Sequence, residues 1–271
     1  MGERSLRNLF HLVKQALPEE QELVCVSSDA TVSGALELMR GRNISQVPVT
    51  EGREVLGVFS FRSLARGLAK LPRKPADIGS LPVEEFLEDL HFASITDELT
   101  ALLDELDIKD AVLVGRQDHL QGIITAVDAL RYFYRVASPY VLLREVELAI
   151  RELLRRSVTP EQLCECIDLT IRAHYEEKHA PVPRCLEDMS LNDYVWVLRH
   201  KGSWPRFQEA FGGTADTTYA KLRSLPDLRN EVFHFRRELT VEEYERLRET
   251  RDWLLMRIRK AEARGEARDA G

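Results

Sequence analysis

The sequence predicts an α+β protein: a β-α-β-β-α unit written twice, followed by an all-helical bundle. Three observations predict it. First, Gly57-Val58-Phe59-Ser60-Phe61-Arg62-Ser63-Leu64 matches Gly122-Ile123-Ile124-Thr125-Ala126-Val127-Asp128-Ala129 without a gap, 65 residues on. At the same offset Gln46-Val47-Pro48-Val49 matches Ala111-Val112-Leu113-Val114, and Thr31 matches Thr96. A repeat of that length marks two copies of one supersecondary unit, neither able to close a core alone. Second, strand signals stop at about Pro139. Third, helix-opening capping boxes appear behind it, at Thr159-Pro160-Glu161-Gln162 and Thr240-Val241-Glu242-Glu243.

The elements follow in order. Leu6, Leu9, Phe10, Leu12, Val13 and Ala16 form a helical stripe over residues 4–16, stopped by Pro18. Leu23 to Val26 is a strand, Ser27-Ser28-Asp29 a capping turn, and Val32 to Arg40 a helix ended by Gly41. Gln46–Val49 and Val55–Phe59 are strands joined by Glu51-Gly52-Arg53. A helix from about Phe61 to Lys70 completes the first copy, and Pro72, Pro75 and Gly79 mark the junction. The second copy has a strand near Leu90–Phe92, a helix over Glu98–Leu106, strands Ala111–Val114 and Leu120–Ile124, and a helix from Val127. Behind it come helices over Val141–Arg156, from Pro160, from Leu191 to about His200, from Pro226, and from Val241 to about Lys260. Gly202, Pro205, Gly212 and Gly213 predict a loop. The expected domains are an N-terminal helix (1–17), repeat one (18–77), repeat two (78–137), a helical domain (138–260) and a disordered tail (261–271).

Composition narrows the function classes. The chain has 271 residues, 44% hydrophobic and 31% charged, an ordinary globular balance. No apolar run approaches the roughly 20 residues that span a bilayer. Arg4, Arg7, His11 and Lys14 interrupt any export signal, so a cytoplasmic location is expected. Cys25, Cys164, Cys166 and Cys185 do not form a disulfide framework in a chain this long. Cys164-Glu165-Cys166 with His174 and His179 lacks zinc-knuckle spacing, and no metal site is expected. Residues 1–137 hold 15 Lys and Arg against 21 Asp and Glu; residues 138–271 hold 23 against 24. That is no duplex-DNA footprint. Arg229, Arg236 and Arg237 remain as a local basic patch.

The repeat carries chemistry at its strand-to-helix turn. A helix N-terminus favours an anion, a hydroxyl there can join the backbone in holding phosphate, and an Asp can accept both hydroxyls of a ribose. Thr125 and Asp128 have that arrangement. The same pair also suits a plain N-cap and a first-turn acid. In the first copy Ser60 keeps the hydroxyl but Ser63 replaces the acid, so one nucleoside site is expected and one degraded. The two copies resemble a tandem pair of CBS domains, a Bateman module, over about residues 18–137. The carrier is G-x-x-[ST]-x-x-D after a V-P-V strand. The resemblance implies an adenosine ligand, AMP or another adenosine nucleotide, with adenine on the backbone near Val24, Cys25, Gln46 and Val47. It places Asp110 near the phosphates, where such modules often carry a cation, which favours a less charged ligand.

The second motif is Arg229-Asn230-Glu231-Val232-Phe233-His234. Asn230 and His234 are one helical turn apart. An Arg that grips phosphate beside a His that moves a proton suits RNA cleavage without metal, the 2′-hydroxyl attacking the adjacent phosphate. His234 between two phenylalanines also suits a structural residue. The motif and its helical frame, with the opening helix Leu142–Arg151, resemble a HEPN domain. That resemblance implies His234 as acid/base, Arg229 as phosphate holder and Asn230 as orienting group, with Glu147 and Arg151 secondary. It also implies a homodimer whose cleft joins two such helices. The expected protein is therefore an adenosine-nucleotide-sensing, metal-independent endoribonuclease acting on RNA, with no catalytic cofactor. The alternative is a non-enzymatic, nucleotide-responsive adaptor.

Overall fold

A computed structural model describes residues 11–18, 21–71, 76–89 and 91–269. The chain divides into two compact units, Met1–Tyr134 and Arg135–Gly271.

The first unit contains the two repeats. After α1 (Val13–Ala16), repeat one runs β1 (Val26–Ser27), α2 (Val32–Arg42), β2 (Gln46–Glu51), β3 (Glu54–Ser60) and α3 (Phe61–Lys70). Repeat two runs β4 (Phe92–Ala93), α4 (Leu103–Lys109), β5 (Ala111–Arg116), β6 (His119–Thr125) and α5 (Ala126–Ser157). Among the described residues each repeat forms a three-stranded sheet, ordered β1-β2-β3 and β4-β5-β6. In both, the first pair is parallel and the second antiparallel, with a register shift at Val49/Thr50 and again at Val114/Gly115.

The repeats complete each other by exchanging their leading segments. α1 buries Val13 and Ala16 in the core of repeat two, with Leu99, Leu106, Val112 and Ile124. Val13 N–H donates to Asp97 O at 3.0 Å, and Leu99 N–H to His11 O at 2.7 Å. Reciprocally, Val83 and Phe86, just ahead of repeat two, lie in the core of repeat one with Val32, Met39 and Phe59. The next segments cross as well. Gln21 clamps the backbone of Ile123, Nε2 donating to its carbonyl and Oε1 accepting from its N–H, both at 2.9 Å. Glu88 and Val58 exchange two backbone hydrogen bonds of 2.9 Å. A third cluster, Val55, Val58, Ala111 and Leu113, joins the two sheets.

This exchange explains the repeated glycine of the motif. A Cβ on Gly57 would stand 3.0 Å from Glu88 O and 3.3 Å from Leu87 Cβ. One on Gly122 would stand 2.8 Å from Leu17. The glycines admit the crossing segment; they are not turn residues. Gly57→Ala is expected to destabilise the first unit by about 1–3 kcal/mol through overpacking against backbone. Gly41→Ala, in α2 with nothing within 4 Å, is expected to stabilise by about 0.4–1 kcal/mol. Thermal denaturation of both variants checks the opposite signs, and equal midpoints would refute the close-approach account.

Several expected boundaries shift. Leu23–Cys25 is not in a strand, because the parallel pairing to β2 begins only at Val26. The helix expected from Glu98 starts as a 3-10 turn, Leu99–Leu102, and becomes α-helical at Leu103. Residues 4–10 and Leu90 lie outside the described residues.

The helices expected from Val127 and over Val141–Arg156 are one: α5 runs through 32 residues with Pro139 inside it. Proline cannot donate to the carbonyl four residues back. Here that carbonyl, Arg135 O, accepts from the buried Ser138 hydroxyl at 3.1 Å instead.

In the second unit α5 is followed by α6 (Pro160–Thr170), α7 (Arg172–Glu177), α8 (Leu191–Arg199), α9 (Trp204–Phe211), α10 (Ala215–Leu222), α11 (Leu225–Phe233) and α12 (Val241–Asp269). One core joins α5 (Val146, Ile150, Leu153), α6 (Ile167), α8 (Tyr194, Leu198), α9 (Phe207, Phe211), α11 (Val232) and α12 (Leu247, Leu254). Two helices occupy the region expected as a loop. Pro205 sits in the first turn of α9, and Thr214 caps α10. Gly212, at φ 68°, follows α9, where Arg257 of α12 caps the carbonyls of Ala210 and Glu209 at 2.8 and 3.0 Å. The glycines and proline there punctuate two short helices. α12 continues to Asp269, past the expected stop at Lys260, because Ala, Glu and Arg are strong helix formers.

Tyr194 is the polar pin of this core. Its hydroxyl donates to Leu186 O and accepts from Arg151 Nε at 2.7 Å. Burial pushes the phenol up to about 12, so it stays a donor. Tyr194→Phe leaves both partners short of a bond and is expected to cost about 1–3 kcal/mol. Chemical denaturation measures it, and an unchanged midpoint would refute the role.

Candidate functional site

Thr125 ends β6 and caps α5. Its backbone N–H and its hydroxyl both donate to Asp128 Oδ2, at 3.0 and 2.6 Å, and Thr125 Oγ1 accepts from Asp128 N–H at 3.2 Å. The pair is thus a capping box. A carboxylate offers roughly four lone-pair sites. The cap uses two, both on Oδ2, and among the described residues Oδ1 has no partner. Asp128 is half-buried. The first repeat closes the same box with serines: Ser60 N–H donates to Ser63 Oγ at 2.8 Å, and Ser63 N–H to Ser60 Oγ at 2.9 Å. The Ser63 hydroxyl then returns its proton to Ser60 O at 3.1 Å. Ser60 and Ser63 are buried and satisfied by each other. A groove of about 670 Å³ opens nearby, bordered by Ser45 and Phe61, but neither serine lines it.

Asp110 reaches the same place from α4. It caps that helix in the left-handed region, φ 65°, and its carbonyl accepts from Ala126 N–H at 3.4 Å. Its carboxylate pairs with Arg62 of α3 at 3.0 Å. The acid expected to face phosphate thus brings a cation with it, because the repeats meet here. Arg62 was not foreseen. Its match in the second repeat is Val127, so this charge appears once in the two motifs. Gln21 was also missed, since a lone polar residue before a strand carries no periodic signal.

The other adenosine candidates stay with repeat one. Val47 is fully buried and Val24 packs beside it, so their side chains serve the core. Gln46 pairs in register with Ser60. Cys25 lies at the surface, and desolvation of its sulfur pushes the thiol up, keeping it protonated. No hydrogen bond joins these four to Thr125 or Asp128 among the described residues.

In the second unit, α11 ends at Phe233, and His234 is its C-cap, with its N–H donating to Asn230 O at 3.1 Å. His234 therefore stands one residue beyond the helix, exposed and one turn from Asn230. Arg229 is half-buried, with its guanidinium 5.0 Å from the Phe233 ring centre and 3.5 Å from Asn230 Oδ1. Arg229 has no ion pair among the described residues. Tyr140 packs edge-on against Phe233 and donates to Val232 O at 3.3 Å.

The expected basic patch is largely neutralised. Arg237 pairs with Glu243 at 2.6 Å and Glu231 at 3.3 Å, and Arg236 with Glu231 at 3.6 Å. The Arg237 guanidinium holds Glu243 down to about 2. Glu147 and Arg151 bond to each other, and Arg151 also to Tyr194.

Among the described residues no group of three or more His, Cys, Asp or Glu side chains is placed to hold a metal ion. No described helix is long and apolar enough to cross a membrane.

A curated protein, the A-adding tRNA nucleotidyltransferase of Geobacter sulfurreducens, is 28% identical over 128 residues. The match covers 45% of this chain, and the chain spans only 14% of that relative's length. Among solved structures, the CBS-domain containing protein ATU1752 from Agrobacterium tumefaciens has a TM-score of 0.40 at 22% identity, covering 45% of this chain and 92% of that one. The CBS domain pair of protein MJ0100, in complex with 5′-methylthioadenosine and S-adenosyl-L-methionine, has a TM-score of 0.38 at 19% identity, covering 46% and 96%. The CBS domain family model matches residues 17–70, the stretch that holds β1 through α3. The first unit of this chain therefore contains a CBS domain, at residues 17–70.

Proposed function

We propose that the first unit senses an adenosine-containing ligand, held by its ribose at Asp128. One observation carries this reading. The helix cap leaves two of the carboxylate's four acceptor sites open, the number that a vicinal diol requires. The serine pair of the first repeat has no such surplus, so one site per chain is expected. Val24, Cys25, Gln46 and Val47 offer the adenine backbone contacts only. Calorimetric titration of the full chain with AMP, ATP, S-adenosylmethionine and GMP, beside Asp128 variants, tests the reading.

For the second unit we propose HEPN-type, metal-independent RNA cleavage in a homodimer. His234 transfers the proton, Arg229 binds the phosphate and Asn230 orients. The support is an exposed imidazole at the end of the helix that carries a half-buried guanidinium without an ion pair among the described residues, while Arg236 and Arg237 are already paired. The ligand regulates this activity only as far as it binds one state better than the other. Incubation of the purified chain with total RNA, with and without a chelator, tests it. A nucleotide response without cleavage would establish the adaptor reading in its place.

A further inference from the structure

Phe235 breaks a local rule at the end of α11. After the C-cap His234, Phe235 N–H donates to Val232 O at 3.2 Å and Arg236 N–H to Glu231 O at 3.0 Å. That is a Schellman ending, whose first residue past the cap is left-handed and ordinarily glycine. Phe235 stands there at φ 52°. The other non-glycine residues with positive φ among the described residues are Asn43, Asp110 and His179. Those types reach this region readily, whereas a bulky apolar residue does not. Burial does not offset the strain, because Phe235 is 73% exposed. Strain of this kind collects at functional positions.

The ring has chemistry around it. It lies tilted to Tyr140 at 6.2 Å between centres, and Tyr140 meets Phe233 edge-on at 5.4 Å. Phe233 is 42% exposed, and the Arg229 guanidinium lies 5.0 Å from its ring centre. His234 is exposed between the two phenylalanines in the chain. Aromatic faces beside a guanidinium that has no ion pair among the described residues suit unpaired nucleotides. Bases stack on the rings, and the cation meets the phosphates. An apolar protein surface laid over these rings would bury the Arg229 guanidinium without an anion. A nucleic-acid strand brings one with every base.

We propose that Phe235 is a base-stacking residue, which holds an unpaired purine beside Arg229 and His234. Purine is favoured over pyrimidine because its fused rings present the larger face to the phenyl ring. This deepens the RNA reading of the second unit and rests on it. It adds a base preference that Arg229 and His234 alone do not supply.

The test is fluorescence anisotropy of the full chain with labelled oligoadenylate, oligouridylate and the duplex of the two. Their riboses are 2′-O-methylated, which removes the attacking hydroxyl. It uses the unaltered protein, Phe235→Tyr, Phe235→Leu and Phe235→Gly. Oligoadenylate is expected to bind most tightly and the duplex most weakly. Phe235→Gly and Phe235→Leu should weaken oligoadenylate binding by roughly 5- to 150-fold, the effect of one lost stack, while Phe235→Tyr keeps it. The thermal midpoint of Phe235→Gly should rise, because glycine adopts the left-handed conformation without a steric penalty.

Unaltered oligoadenylate binding by Phe235→Gly, or equal affinity for the two single strands, would overturn this inference and leave the cleavage reading standing. A lowered midpoint in Phe235→Gly would overturn it too, by showing a ring that serves folding. So would a smaller assembly of that variant in light scattering, which would assign the ring to contact between copies of the chain. Oligomer binding that needs Phe235, in a chain that leaves unmodified RNA uncut, would sustain the inference and overturn the cleavage reading. Binding of no oligomer would overturn the inference together with the RNA reading beneath it.

Discussion

RNA cleavage by His234→Ala is expected to be slower by roughly 10²–10⁴-fold, the usual contribution of a positioned general acid–base. The products of the unaltered chain should carry 2′,3′-cyclic phosphate ends, and a chelator should not reduce their yield. His234 is exposed at the end of α11, and its backbone bond to Asn230 O survives the substitution. The thermal midpoint should therefore move little, as for most surface changes. Arg229→Lys is expected to fall nearly as far. Lysine keeps the charge but loses the planar fork that grips a phosphate, and it alters the contact with Phe233. Gel assays of labelled RNA, with end-group analysis, make the measurement. Cleavage at the original rate by both variants would refute the assignment.

Loss of the Asp128 carboxylate is expected to weaken adenosine-ligand binding by roughly 10²–10⁴-fold. Two hydrogen bonds to a charged acceptor contribute about 1.5–3 kcal/mol each, and about 1.4 kcal/mol is a factor of ten. Asp128→Ala is a poor probe by itself, because the same carboxylate accepts from Thr125 N–H and closes the cap of α5. Removing such a cap contact costs about 0.5–2 kcal/mol of stability. Asp128→Ser separates the two roles. It writes the first repeat's own solution, Ser63 bonded to Ser60, into the second. The cap should persist, so the thermal midpoint without ligand should hold while the ligand-induced rise disappears. A full ligand response in Asp128→Ser would dismiss the ribose contact.

Much of the fold was legible in the chain because it is local. The 65-residue repeat, the capping boxes at Thr159 and Thr240, and the alternating apolar strands each announce one element through its neighbours in sequence. The errors came where a local signal had two physical meanings. Pro139 marks a break unless something else satisfies Arg135 O, and the Ser138 hydroxyl does so. Gly212 and Pro205 mark a loop unless they bracket a short helix, and Arg257 caps that helix from 47 residues away.

The candidate sites divide in the same way. Thr125 and Asp128 were visible as a motif, and His234 and Arg229 as a spacing. That His234 caps α11 instead of lying within it depends on where that helix stops. That Arg236 and Arg237 are already paired depends on Glu231 and Glu243 lying beside them.

The amino-acid order alone determined the repeated unit, its strand-to-helix hydroxyls, the single acid of the second copy and the helical character of the rest. Only the tertiary structure decided that the leading segments cross over, that the motif glycines exist to admit them, and that Arg62 faces Asp110. Gln21 with Ile123 and Arg62 with Asp110 are 102 and 48 residues apart. Contacts at such separations leave no periodicity in a sequence, because the chain between them is free to choose many paths until the shared core closes.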